Sequence, residues 1–595
     1  MDKPVSQGRS GPSSRMNDGG QPLQAAEQTM SLGPMEPAVS AAFAALDASR
    51  FGRRLCEHDP SLWKSDPHQV QAISKRLGWL DSAKDFLAKV DEINGFAREI
   101  RAAQFSHVVL LGMGGSSLCP EVARETFGDQ AGWPRLLVLD NTAPAAVSAI
   151  EAQIDLEHTL FLVASKSGST TETNCFYRYF FGLMSEREGV GKAGSHFVAI
   201  TDPATILVEE GRKRDFRRIF ENPEDIGGRY SALSYFGLIP MALMGVGIRP
   251  LIERALRMRA SCGPDVPAAA NPGLSLGALL GVCEQQGRDK ITFALSPSLR
   301  RFGTWVEQLV AESTGKEGRG LVPVDGEALG KPEVYGRDRV IVSISLKEEA
   351  DPEAAKKLQD LEAAGNPVVR IVLEDKLGLG AEFLRWEIAT AVAGAVIGVN
   401  PFDEPNVSES KRNTAELLEE WKQKGTFSED TPVLEGNRLR IYFDPNADWL
   451  TETDRRSIDS FAATFLKLAR PSDYAAFLAY CLQTEARDLQ LDALRIALRD
   501  RARVATTVGY GPRYLHSTGQ LHKGGPDRGV FILLTSETTA DLHISGVEYS
   551  FGVLQRAQAL GDFRALACKG RRVIRIDLGP DPDEGLDFLK NMFVD

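Results

Sequence analysis

Between Ser165 and Thr171 the chain reads SKSGSTT, five hydroxyl side chains in seven residues, directly after the apolar run TLFLVA. Hydroxyls beside the unpaired N–H groups of a helix start suit a phosphate monoester, which offers several acceptor oxygens and up to two negative charges. The expected ligand is a phosphorylated small molecule. A helix cap, with Glu172 completing a capping box, would need only one hydroxyl. There is no GxxxxGK[ST] pattern and the lysine lies inside the hydroxyl run, which disfavours a nucleoside triphosphate. A second loop, LLGMGGSSLCPE, places Gly112, Gly114, Gly115, Ser116 and Ser117 after another apolar run. Its glycines permit close backbone approach to a ligand. It partly matches a dinucleotide fingerprint, with Asp140 ending the next strand, but Ser117 stands where the third glycine belongs. A nicotinamide-cofactor enzyme is therefore a competing reading. Farther on, RRFGTWVEQLVAEST carries an apolar helical stripe of Phe302, Trp305, Leu309 and Val310, with Glu312 at its edge and Gln308 one turn earlier on the same face. A half-buried carboxylate near a helix C-terminus is expected, its pKa raised by desolvation and by the helix dipole. Near the C-terminal end, YLHSTGQLHK holds two of the eight histidines, His516 and His522.

These groups need a large scaffold. The 595 residues exceed one hydrophobic core and predict two or three domains. Apolar residues at 43% and charged residues at 25% place the chain in the soluble globular class. A net charge of −12 argues against non-specific attraction to nucleic acid or anionic lipid. The seven cysteines, Cys56, Cys119, Cys175, Cys262, Cys283, Cys481 and Cys568, form no CxxC pair and have no metal-like spacing, which fits a reducing cytoplasm. No apolar run is long enough to span a membrane, and the opening segment lacks a signal-peptide core.

Residues 1–37 read as a disordered tail and residues 38–104 as a helical segment. From residue 107, apolar runs rich in β-branched residues alternate with helical patterns: HVVLLG, RLLVLD, TLFLVAS and HFVAITD. That alternation predicts βαβ units and a parallel sheet covered on both faces, assigned to residues 105–262. The pattern pauses at CGPDVPAAANPG and resumes with ITFALS, RVIVSIS and PVVRIVLE, giving a second α/β domain over residues 273–430. Residues 431–595 read as a helical stretch, DRRSIDSFAATFLKLARPSDYAAFLAYCLQ, followed by the strands GVFILLT and RRVIRIDLG. Those strands either complete the second sheet or form a third unit.

Four ordered segments carry a resemblance to a known family. SKSGSTTET resembles the phosphate loop of the SIS sugar isomerases, specifically that of the phosphoglucose isomerases. GGRYS at 227–231, EQLVAESTGKEGRG and NPFDEPNVSESK at 400–411 resemble three further signatures of the latter family. The implied fold is two SIS-type, flavodoxin-like parallel-sheet sandwiches with an N-terminal helical segment and a C-terminal α/β extension. The implied reaction is aldose-ketose isomerisation of glucose 6-phosphate and fructose 6-phosphate through ring opening and a cis-enediol. It requires a carboxylate base and a cation near the developing oxyanion.

The resemblance makes Glu312 the base and Arg229 the enediolate-stabilising cation, with Gln308 contacting substrate and Lys411 near the ring oxygen. Ser165, Lys166, Ser167 and Thr170 hold the phosphate, and Gly115 and Ser116 line the sugar side. Ring opening in the family uses a histidine from an HS.GQ motif located between the ES.GK and FDQP segments. Here no histidine occurs from residue 197 to 515, and LHSTGQ supplies the motif out of order. His516 is the expected ring-opening group, with residues 431–595 completing the site; His522 is expected in a loop facing the same cleft. This order resembles the isomerase half of bacterial transaldolase fusions, but too few residues precede the first loop for a transaldolase barrel, so that activity is not expected. One departure stands out: the family has glutamine where this chain has Glu404, a carboxylate that would repel a phosphate unless a lysine compensates. Neither a metal nor another cofactor is expected, and the partner is a phosphorylated hexose, with no nucleic acid or membrane partner. A cytoplasmic homodimer is implied. Two other outcomes fit the same motifs: an SIS isomerase also accepting mannose 6-phosphate, and a non-catalytic sugar-phosphate sensor.

Overall fold

The structure, a computed structural model, describes residues 27–428, 431–436, 439–443 and 469–594. The first strand, β1 (Glu27–Ser31), is followed by a helical segment that includes Glu36–Ala48 and Val90–Ala102. Then β2 (His107–Gly112), β3 (Arg135–Leu139), β4 (Thr159–Ala164), β5 (Phe197–Thr201) and β6 (Arg218–Glu221) form a parallel sheet in the order β3-β2-β4-β5-β6. Side chains alternate along these strands. Val108, Leu110, Leu160 and Leu162 enter one core; Val109, Leu111, Phe161 and Val163 enter the other. With both faces covered, the strands are unbroken apolar runs. Each buried leucine or phenylalanine contributes roughly 1.5–3 kcal/mol.

The second sheet has the order β1-β10-β9-β7-β8, from β7 (Lys290–Leu295), β8 (Val322–Val324), β9 (Arg339–Leu346) and β10 (Val368–Leu373). Its edge strand is β1, antiparallel to β10. Residues 27–37 therefore depart from the expected disordered tail: they contain a strand and the start of a helix. Their order comes from distant partners. The Gln28 amide donates to the Ser275 hydroxyl at 3.0 Å and the Pro272 carbonyl at 3.3 Å, and its oxygen accepts from Arg385. Residues 1–26 lie outside the described residues.

A third sheet is built from β11 (Leu434–Gly436), β12 (Leu439–Phe443), β13 (Tyr474–Tyr480), β14 (Ala505–Tyr510), β15 (Gly529–Thr535) and β16 (Arg572–Asp577), in the order β11-β12-β16-β15-β13-β14. GVFILLT and RRVIRIDLG belong to this sheet and do not extend the second. The stretch expected to be helical contains β13, a correction. Its small, alanine-rich side chains resemble helix locally. In the fold Ala475, Phe477 and Ala479 face one core while Tyr474, Ala476, Leu478 and Tyr480 face the other. Residues 454–468 of that stretch lie outside the described residues.

All three sheets are wound alike. In each, the second parallel strand lies on one side of the first and the third on the other, so the winding reverses between β2 and β4, β7 and β9, and β13 and β15. Such switch points open crevices beyond the carboxyl ends of the strands, where ligands bind in α/β sheets. Among the described residues no helix is long and apolar enough to cross a membrane.

Candidate active site

The first sheet brings two loops to its switch point. Beyond β2 the chain turns through Gly114–Ser116, with Gly114 at φ +56°. A Cβ at Gly114 would lie 2.9 Å from both the Gln308 amide nitrogen and the His516 carbonyl oxygen; one at Gly115 would lie 2.1 Å from the Gly228 carbonyl oxygen. Glycine is needed because three distant segments meet here backbone to backbone. Ser116 is buried beside them. Beyond β4, the Ser165 and Thr170 hydroxyls lie 2.9 Å apart and those of Ser167 and Ser169 3.0 Å apart. Thr170 is the N-cap of the helix Thr171–Glu188, yet its side chain makes no capping bond. Capping therefore does not account for the hydroxyl cluster. Lys166 is committed elsewhere: its ammonium pairs with Asp202 and donates to the Glu224 carbonyl at 3.0 Å.

The helix after β7, Arg300–Thr314, is buried along most of its length, including Gln308 and Glu312. The Gln308 amide donates to Glu312 Oε2 at 3.1 Å and to the His516 carbonyl at 2.7 Å. Burial raises the Glu312 pKa above the usual carboxylate range and the charge of Glu404 adds to this, while Arg229 opposes it. Arg229 sits in the turn Gly228–Tyr230, only 4% exposed. Its Nε donates to the Ser313 hydroxyl at 2.8 Å and its Nη2 to the carbonyls of Pro401 and Asp403, both at 2.9 Å. Its Nη1 lies 3.1 Å from Glu312 Oε1 and 3.0 Å from Glu404 Oε2. Burial works against the charge of Glu404, but Arg229 outweighs it and holds that carboxyl below its usual value.

The third sheet carries His516. After β14 a turn, Arg513–His516, is fastened to the first sheet by Arg513, which donates to both oxygens of Asp140 at 2.8 and 2.7 Å. The Ser117 hydroxyl donates to Asp140 as well, at 3.0 Å. The acid that a dinucleotide site would turn toward a ribose is thus spent on an interdomain clamp, and the residue replacing the third glycine supports it. His516 Nε2 lies 3.1 Å from Glu172 Oε1. The same oxygen accepts from the Gln558 amide at 2.7 Å, and Gln558 Oε1 accepts from the Thr142 hydroxyl at 2.8 Å. Burial opposes ionisation of Glu172, yet the charge and hydrogen bond of His516, aided by the charge of Lys411, keep its pKa low. An ionised carboxylate only accepts, so Nε2 of His516 carries the proton.

The structure thus gathers Glu312, Gln308, Arg229, Gly115, Ser116 and His516 from three sheets. Lys411 is exposed on the helix Val407–Lys424. His522 is a correction: it lies on the short helix Gly519–Gly524, 2% exposed, against the rings of Tyr474, Tyr514 and Phe531. Burial there holds its pKa well below the usual imidazole value. Sequence reasoning missed Arg513 and Gln558, and treated Glu172 only as a capping acid and Asp140 as a dinucleotide ligand. Glu172 lies inside the hydroxyl-rich motif and could have been found there; Gln558 has no local signal. A separate cavity of about 1200 Å³ is lined by Arg301, Thr304 and Glu307 of the helix Arg300–Thr314; it reaches the Arg513–Asp140 pair, but Glu312, Arg229 and His516 do not line it.

Comparison with known proteins bears on this arrangement. The Phosphoglucose isomerase family profile matches residues 62–328, a span that contains the hydroxyl loop, Arg229, Gln308 and Glu312. Residues 62–328 thus form a domain similar to the phosphoglucose isomerases. Relatives of that domain include a probable glucose-6-phosphate isomerase of Methanococcus maripaludis, 29% identical over 58% of this chain and 85% of the relative. Another is the glucose-6-phosphate isomerase of Rubrobacter xylanophilus, 29% identical over 61% of this chain and 93% of the relative. Among solved structures, a hypothetical protein of Thermus thermophilus superposes with a TM-score of 0.56 at 23% identity, over 66% of this chain and 100% of its own. A glucose-6-phosphate isomerase of Chlamydia trachomatis gives 0.53 at 18% identity, over 67% and 89%. These structures share the fold. The phosphoglucose isomerase profile ends before Glu404, Lys411 and His516, so the third sheet's contribution rests on the geometry above.

Proposed function

We propose that the protein interconverts glucose 6-phosphate and fructose 6-phosphate, with the hydroxyl loop holding the phosphate and Glu312 moving the proton. The aldose-ketose isomerase reading is supported by the domain similar to the phosphoglucose isomerases and by relatives named for that activity. The observation that carries the assignment of roles is Gln308, whose one amide group touches both Glu312 and the His516 backbone. That contact, made to the His516 backbone, supports reading the base and the residue that bears the imidazole as parts of one site. His516, its ring oriented by Glu172, exchanges a proton with the ring oxygen and the anomeric hydroxyl, freeing the open chain. Glu312 removes the C2 proton of the aldose and delivers it to C1, while the fixed charge of Arg229 stabilises the enediolate oxygen. Lys411 assists ring opening, while Lys166, paired with Asp202, buttresses the phosphate loop rather than binding the phosphate.

Glu312→Gln tests the reading. It should lower kcat by about 10²–10⁴-fold, the usual worth of a general base, with sugar-phosphate binding retained. Full isomerisation by that variant would overturn the assignment of Glu312 as the base, whereas binding without isomerisation by the unaltered protein would mark a sensor. Because Glu312 must be ionised to act, kcat/KM should rise with pH through a value above the ordinary carboxylate range. All seven cysteines stand unpaired, which supports a cytoplasmic setting. A homodimer follows from the family resemblance; the groups named here come from one chain, so pairing is not required to assemble them.

A further inference from the structure

Position 404 is where this chain departs from the family it resembles, and the departure falls on the cation of the site. Arg229 cannot swing: Ser313, Pro401 and Asp403 hold three of its donors, leaving the Nη1 corner facing Glu312 and Glu404 together. One guanidinium corner thus serves two carboxylates. Their surroundings differ, since the side chain of Glu312 is 11% exposed and that of Glu404 36%. When one cation faces two carboxylates, the more solvated acid ionises more readily, and its negative charge offsets part of the cation's field at the buried acid, which keeps its affinity for protons. A glutamine at 404 would leave the whole of Arg229 to Glu312 and make it a weaker base.

We propose that Glu404 is a positioning residue: by competing with Glu312 for Nη1 of Arg229, it keeps the base from being neutralised by the cation placed beside it for the oxyanion. The inference rests on the reading of Glu312 as the base. The other charges facing the pair are accounted for. Lys316 donates to the Asn400 carbonyl and to the Asp403 carboxylate, both at 2.7 Å, so much of its charge goes to Asp403. The charge of Arg76 acts on Glu404. Glu387 is buried near Tyr230, and burial pushes its pKa far up, disfavouring its charged form.

Glu404→Gln restores the family's residue at nearly the same size. We expect the acid limb of its kcat/KM profile to move to lower pH, kcat at neutral pH to fall about three- to tenfold as the base weakens, and KM to change less than kcat. Glu404→Asp, which keeps the charge, should leave the limb nearer its original position. In parallel, ¹³C NMR of protein labelled at glutamate carboxyl carbons, with Glu312 assigned through Glu312→Gln, follows the base without turnover. Its titration should move down in pH in Glu404→Gln. If both the limb and this titration stay in place in Glu404→Gln, the proposal is overturned, whatever happens to KM. If the titration moves but the unaltered protein does not isomerise glucose 6-phosphate, the isomerase reading fails and the sharing of Arg229 stands.

Discussion

The first and third sheets share one order in four parallel strands and meet at the same cleft, but they furnish it differently. The first contributes many small groups: the hydroxyls from Ser165 to Thr171, the Gly114–Ser116 turn and the carboxylate of Glu172. The third contributes one imidazole, on a turn whose position depends on the Arg513–Asp140 pair. Binding of a phosphate is divisible, because each hydroxyl or N–H adds its own increment. Proton transfer to a ring oxygen is not divisible, because one group at one distance performs it. The winding is common to both domains; the chemistry demanded of each loop decides whether function is spread out or concentrated.

That contrast can be broken by substitution. His516→Ala should have the largest effect, lowering kcat by about 10²-fold or more, and the loss should be smaller when the assay supplies substrate already in the open-chain form. Equal loss on both would remove ring opening from its duties. Next comes Arg513→Ala, which strands the buried Asp140 carboxylate. It should cost about 3 kcal/mol of stability and lower kcat through the displaced turn, with the combined effect read from thermal unfolding and kinetics. On the first sheet, Ser167→Ala should raise KM about tenfold, the worth of one hydrogen bond to a charged group, with kcat near its original value. A large fall in kcat there would erase the distinction between the two sheets. The smallest effect concerns the second sheet. Burial and the nearby Asp325 push Glu307 up to about 8 from an ordinary value of 4.5. Between those values the folded chain holds a proton that the unfolded chain has lost, so this residue's contribution to stability declines as pH rises from about 4.5 to 8. Glu307→Gln should therefore gain in melting temperature over the original protein as pH increases; a constant gap across that range would refute the assignment.

How much of this was legible in the sequence follows the same division. Two of the sheets were readable because parallel strands buried on both faces leave unbroken apolar runs, as HVVLLG and TLFLVA do. β13 was not, because YAAFLAY has the small-residue texture of a helix and only its two-sided packing makes it a strand. Glu312, Arg229 and the hydroxyl loop sit in local motifs, so the sequence offers them as candidates. It does not offer Arg513 and Gln558, since each acts on a partner hundreds of residues away and has no pattern around it. His516 is a candidate from its LHSTGQ motif and from the lack of any histidine between residues 197 and 515. His522 was misplaced because glycine and proline around it suggested an open loop, whereas its ring fills an aromatic niche.

The short strand β1 carries one more consequence. Paired antiparallel to β10, it closes a side of the second sheet that would otherwise display a row of unpaired N–H and C=O groups. Such a row recruits strands from other molecules. In this protein that edge is covered by residues 27–31 of the same chain, pinned there by Gln28, so residues remote from the chemistry block edge-to-edge strand pairing.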